Sequence, residues 1–162
     1  MKELIPLVIL LITSTISLSQ KIKKDDLVGE WTFIELQNDS GEKVTEIKHE
    51  GLKKRTGFNG VEKVNRDNYV LNGDGTYQSS NPLNESVGTW YYDEKNNAIR
   101  LEFRIAPDDK YIEIAKKMKT IKKRKDGFYY QKPTTEKILY FSKDSIVMDD
   151  YVGYYRIYTR KK

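Results

Sequence analysis

Arg156 and Tyr158 stand two residues apart in the terminal run Tyr154-Tyr-Arg-Ile-Tyr158. On a β-strand that spacing puts both on one face, where a guanidinium and a phenol can hold a carboxylate between them. The same period-2 count carries an opposing reading: if Tyr155 and Ile157 face a core, then Arg156, Tyr158 and Arg160 are solvated. A second concentration of chemistry lies at Lys116–Lys125, where seven of ten residues are Lys or Arg and none is acidic. Such a run would dock on an anionic envelope surface, lipid headgroups or an acidic polysaccharide, or it is a solvated helix face with no partner. No aromatic residue lies within the run to stack a base, so nucleic-acid binding is not expected.

Catalytic candidates are sparse. His49 is the single histidine and the chain has no cysteine. Zinc sites built on thiolates or paired histidines, disulfide scaffolds, and Cys or Ser-His-Asp hydrolases therefore each lack a necessary part. The acidic pairs Asp108-Asp109 and Asp149-Asp150 read as loop residues. The expectation is a protein that is not an enzyme, with no metal and no cofactor. A net charge of +5 over 162 residues favours anionic partners only mildly.

The segment ahead of these residues has a different character. Leu4 to Ile12 is an apolar run of nine residues, too short to span a bilayer, and Ser17-Leu18-Ser19 places small side chains where a signal peptidase reads them. The expected organisation is a signal peptide over 1–19, a linker over 20–26 and one domain over 27–162. The mature chain would be secreted or periplasmic, with no transmembrane segment after cleavage, and without a cysteine it cannot be a lipoprotein.

The domain is rich in aromatics, with 12 Tyr, 5 Phe and 2 Trp, residue types that suit a pleated sheet. Leu27 to Leu36 alternates, with Trp31 and Phe33 on one face. Tyr69-Val-Leu71 and Thr76-Tyr-Gln78 flank the turn Asn72-Gly-Asp-Gly75 and read as a hairpin. In a second hairpin Gly88, Trp90 and Tyr92 share a face, as do Ile99, Leu101 and Phe103, with Arg100, Glu102 and Arg104 opposite. The polar stretch Gln37 to Asn68 offers only short strands. From Asp109 to Lys123, Tyr111, Ile114, Ala115 and Met118 recur at helical spacing, which predicts one short helix; a strand carrying Ile112, Ile114 and Met118 competes. Strands at Lys137–Phe141, Ile146–Met148 and Tyr151–Arg160 complete the chain. The fold class is all-β, an antiparallel up-and-down barrel of about eight to ten strands.

Leu27-Val-Gly-Glu-Trp31 resembles the Gly-x-Trp first-strand signature of lipocalins. Asn72–Tyr77, Gly88–Tyr92, Ser142–Met148 and Tyr158–Arg160 follow in the order of the landmarks of the bacterial lipocalin-like domain, of the kind found in Bacteroidetes. The resemblance implies a calycin-type barrel in which Trp31 packs at the closed end against Arg160 or Arg156, with Gly29 part of that structural motif. It also implies a small apolar or amphiphilic ligand in the lumen, met by Phe33, Trp90, Tyr92, Leu101, Phe103 and Tyr140. Arg156 and Tyr158 join them if they face inward, where the chain is similar to the Arg-x-Tyr of fatty-acid-binding proteins. The alternative is that the same aromatics simply fill the lumen, making an envelope structural or protein-interaction module without a ligand.

Overall fold

The structure, a computed structural model, describes residues 21–49 and 60–162; the expected signal peptide lies outside the described residues. A four-residue helix, α1 (Lys24–Leu27), leads into β1 (Gly29–Asn38), followed by β2 (Lys43–Val44), β3 (Glu46–Lys48), β4 (Val61–Lys63), β5 (Asn68–Leu71), β6 (Thr76–Ser80), β7 (Glu85–Asp93) and β8 (Ala98–Ile105). After α2 (Ile112–Lys117) come β9 (Ile121–Lys123), β10 (Tyr129–Gln131), β11 (Thr134–Phe141), β12 (Ser145–Asp149) and β13 (Tyr154–Arg160). Antiparallel neighbours run β11-β12-β13-β1-β5-β6-β7-β8, and β8 pairs back with β11. Eight strands thus close a barrel.

Alternation builds this wall. Trp90 faces Leu101 and Tyr92 faces Ile99 across the β7–β8 ladder, as the hairpin pattern requires. The β5–β6 turn needs a residue at positive φ, and Gly75 supplies it at φ +86. Asp74 then accepts from the Thr76 amide at 2.8 Å. Two bulges change the parity that simple counting assumes. In β1 the register shifts between Phe33 and Glu35, so Leu36 becomes fully buried while Ile34 turns to solvent. In β11 a shift between Ile138 and Tyr140 leaves both Leu139 and Tyr140 outside.

The lower end of the barrel is plugged. Leu27, Trp31, Leu71, Trp90, Ile99, Ile138, Ile146 and Met148 form one buried cluster. The Trp31 indole donates to the Leu27 carbonyl at 2.9 Å. Arg160 lies over that indole and donates to the carbonyls of Val28 and Asp26, each at 2.5 Å, and of Lys143 at 2.8 Å. Gly29 is required by this contact, because a Cβ there would stand 2.6 Å from the Arg160 Nη1. Residues 22–27, mostly expected as linker, belong to the plug, with Ile22 and Leu27 both in the core.

The upper end splays. β1 pairs with β5 only over Gly29–Trp31 and with β2 higher up; β8 pairs with β11 up to Leu101 and with β10 beyond it. The helix expected over 109–123 is shorter than the spacing predicts. Lys119 at φ +55 ends it, and Ile121–Lys123 continue as an edge strand on β10. The face it buries is also different: Ile112 packs inward, whereas Tyr111, Ile114 and Met118 are exposed. The basic run accordingly lies outside the closed ring, split between the end of α2 and β9.

Candidate functional site

Arg156 and Tyr158 sit on β13 opposite Leu36 and Phe33 of β1, and opposite Met148 and Ile146 of β12. All four neighbours except Phe33 are fully enclosed, so both side chains point into the barrel, with Arg156 at 8% and Tyr158 at 0% exposure. The solvated reading of this face is therefore reversed. Period-2 counting could not settle it, because hydrophobicity alone favours the Tyr155 and Ile157 face while the deciding group is on another strand. That group is Glu136 of β11, whose Oε2 accepts from the Arg156 Nη2 at 2.6 Å. A buried guanidinium needs such a partner.

The ion pair extends to the surface. Arg156 also donates to the Asp149 carbonyl and lies 3.1 Å from the Asp150 Oδ1. Asp150 is gripped in turn by both arms of Arg66, at 2.9 and 2.8 Å. Arg66 reaches Glu62 at 3.0 Å, and Glu62 meets His49 at 2.9 Å. Burial works against the Arg156 charge, yet the Glu136 carboxylate together with the Tyr158 and Tyr69 phenols offsets it and holds the guanidinium above its usual range. The His49 contact, aided by Arg66, holds the Glu62 carboxyl below the ordinary range. Beside this network the Tyr158 hydroxyl has no hydrogen-bond partner among the described residues, and Tyr69 packs on its ring at 5.6 Å. Burial pushes Tyr158 and Tyr77 up to about 12, and Tyr69 well above its ordinary value.

Above these groups a cavity of about 330 Å³ opens at the splayed end. Its lining is Asp67 and Tyr69 from the start of β5, Tyr77 and Ser79 of β6, Ser86 of β7, Leu101 and Phe103 of β8, Gln131, Thr134 and Glu136. Small serines leave the room and larger aromatics make the walls. Asp67 accepts from the Asn81 side chain at 2.5 Å. Below the cavity, between Leu71, Ile99 and Met148, the space does not admit a water molecule.

The expected ligand residues divide accordingly. Leu101 and Phe103 line the cavity, with Arg156 and Tyr158 behind Glu136. Phe33 packs edge-on to Tyr158 at 5.8 Å. Trp90 and Tyr92 belong to the closed end, where Trp90 donates to the Asn72 carbonyl at 2.9 Å and Tyr92 to Asn97 at 2.7 Å. Tyr140, expected inside, is 57% exposed on the outer surface because of the β11 bulge. Tyr69, Tyr77, Ser79 and Glu136 escaped the sequence reading, although Tyr69 with Leu71, Tyr77 with Ser79, and Glu136 with Ile138 each share a face by alternation.

No family model and no curated protein matches the chain. Among solved structures it is similar to a lipocalin-like protein from Bacteroides uniformis ATCC 8492, at 17% identity and TM-score 0.42, over 84% of this chain and 99% of that one. It is similar also to a duf4847 family protein from Bacteroides vulgatus ATCC 8482, at 14% identity and TM-score 0.39, over 83% and 93%. The strand ladder of the chain itself, closed by the β8–β11 pairing over a plugged end and an open one, makes it an antiparallel, closed eight-stranded β-barrel.

Proposed function

We propose that the chain is an exported binding protein that holds one small amphiphilic molecule in the open end of its barrel. The observation that carries this reading is the cavity of about 330 Å³ at the mouth. That volume is at the lower end of ligand sites, which run roughly 300–1,000 Å³, so it suits a compact molecule rather than a long acyl chain. Tyr69, Tyr77, Leu101 and Phe103 offer flat apolar walls, while Ser79, Ser86, Gln131 and Thr134 offer hydrogen bonds. Among the described residues two carboxylates and no cation line the space, and Arg156 is already committed to Glu136. The polar end of the ligand is therefore neutral or cationic, not a carboxylate.

In this reading the protein is a binder and not a catalyst. Support comes from the titratable groups at the cavity: Glu136 is tied to Arg156, Asp67 to Asn81, and the tyrosines are held far above neutrality. Export rests on the apolar run Leu4–Ile12 and on Ser17-Leu18-Ser19, and a mature chain starting at Gln20 is its expected signature in an intact-mass measurement. Native mass spectrometry of the protein purified from its host should find a small molecule retained. Ser86→Trp, which fills the cavity from β7, should remove it with a stability change of less than about 1 kcal/mol. Retention unaffected by that substitution would reject the site.

A further inference from the structure

The connection from β8 to β11 carries a feature that neither the barrel nor its cavity uses. Tyr111, Ile114 and Met118 are 60%, 57% and 68% exposed along one side of α2, while Ile112 anchors the helix by its other side. Three large apolar side chains at i, i+3 and i+7 spacing form a continuous protruding ridge. Isolated exposed apolar residues need no explanation, but a contiguous row of them marks a contact surface.

Cations surround the ridge. Lys110 lies 5.0 Å over the Tyr111 ring, and Lys116, Lys117, Lys119, Lys122, Lys123, Arg124 and Lys125 follow in the chain. Some have internal work: Lys116 pairs with Glu113 at 2.7 Å, Lys123 lies over Tyr129, and Arg124 pairs with Glu102. Among the described residues, Lys117, Lys119, Lys122 and Lys125 have no carboxylate within ion-pair distance, and all four are exposed. A groove of about 520 Å³, lined in part by Lys119, Lys122, Arg124 and Lys132, opens on the same element pair.

We propose that α2 and β9 form a docking surface for an anionic phospholipid bilayer. An acidic polysaccharide would use the lysines but leave Tyr111, Ile114 and Met118 in water. A headgroup layer offers anions to the lysines and yields to a protruding apolar ridge, so it satisfies both halves of the surface. The geometry also sets an orientation. Leu83, Tyr151 and Val152, exposed at 81%, 64% and 87%, stand on the β6–β7 and β12–β13 connections at the same splayed end. Docking through α2 therefore turns the barrel mouth toward the membrane. The docking surface does not depend on what the mouth holds.

The test is co-sedimentation of the protein with vesicles of phosphatidylcholine alone and of phosphatidylcholine mixed with phosphatidylglycerol. Binding to the mixed vesicles only, weakened by salt, is the expected result. Ile114→Ser with Met118→Ser should weaken it by about tenfold or more, since two apolar side chains lose their burial. Replacing Lys117, Lys119, Lys122 and Lys125 with Gln should weaken it by roughly fivefold per lysine. Thermal midpoints should stay unchanged in both variants, because every substituted side chain is exposed. The proposal is overturned by binding that ignores lipid charge, by no binding, or by Ile114→Ser/Met118→Ser protein that binds at full strength. Retention on heparin without vesicle binding, or a dimer in light scattering that the same two substitutions abolish, would overturn it equally.

Discussion

The Arg160 guanidinium lies 4.2 Å over the Trp31 indole, and the two residues face each other in the β1–β13 ladder. One interaction thereby joins the first and last wall strands and ties both to α1. Trp31→Ala should cost about 3–5 kcal/mol, the usual loss for an enclosed indole, and Arg160→Lys about 1–3 kcal/mol, because an ammonium cannot serve three carbonyls in fork geometry. Denaturant midpoints measure both. A loss below about 1 kcal/mol for Trp31→Ala would remove it from the core.

Gly88 marks the tightest approach in the wall. A Cβ there would stand 2.0 Å from the Glu102 carbonyl oxygen and 2.8 Å from the Tyr77 ring. Gly88→Ala should destabilise by at least about 1–3 kcal/mol through overpacking. Gly73→Ala is the control, because no atom of the described residues lies within 4 Å of its Cβ position, and its effect should stay within about 0.5 kcal/mol. Equal thermal midpoints for the two variants would contradict this geometry.

Arg156 is buried and Glu136 half-buried beside it, so removing Glu136 leaves the guanidinium with Asp150 as its remaining carboxylate. Glu136→Leu alone should cost about 1–3 kcal/mol. Glu136→Leu combined with Arg156→Met should cost less than the sum of the single losses. A double-mutant cycle with no coupling energy would mean that the two charges do not sense each other.

Alkaline pH should unfold the protein through its buried phenols. Tyr77 and Tyr158, raised by burial to about 12, keep their protons in the fold after the unfolded chain has lost them at its ordinary value near 10. Between those values the unfolded state binds fewer protons, so stability is full below pH of about 10 and falls toward 12, by about 2–3 kcal/mol for each group. Tyr69 acts in the same direction. Tyrosinate absorbance should therefore show a late class among the 12 tyrosines that ionises together with loss of tertiary circular dichroism. A tyrosine titration complete before unfolding begins would contradict the burial.

Much of the wall is written in local pattern. The hairpins at 69–78 and 88–103 follow from alternation and from glycine at the turn, because side chains two apart on a strand must share a face. The Trp31–Arg160 contact followed from a resemblance and holds in the geometry. The polar stretch 37–68 forms only short strands where described, which its scattered apolar residues foretell. Leu101 and Phe103 reach the cavity because the hairpin alternation aims them inward.

Three things were beyond that pattern, each for a physical reason. The bulges in β1 and β11 move Leu36 inward and Tyr140 outward; an extra residue in a ladder is set by the partner strand and leaves no periodic trace. The helix after β8 buries Ile112 and exposes Tyr111, Ile114 and Met118, because the apolar row that marks a helix face does not say whether the barrel or the solvent lies beside it. Arg156 faces the lumen because Glu136, twenty residues away in the chain, meets it there. Periodicity ranks the faces of one strand by hydrophobicity, whereas the side on which a charge can be buried depends on which opposite charge the closed barrel brings within hydrogen-bonding reach.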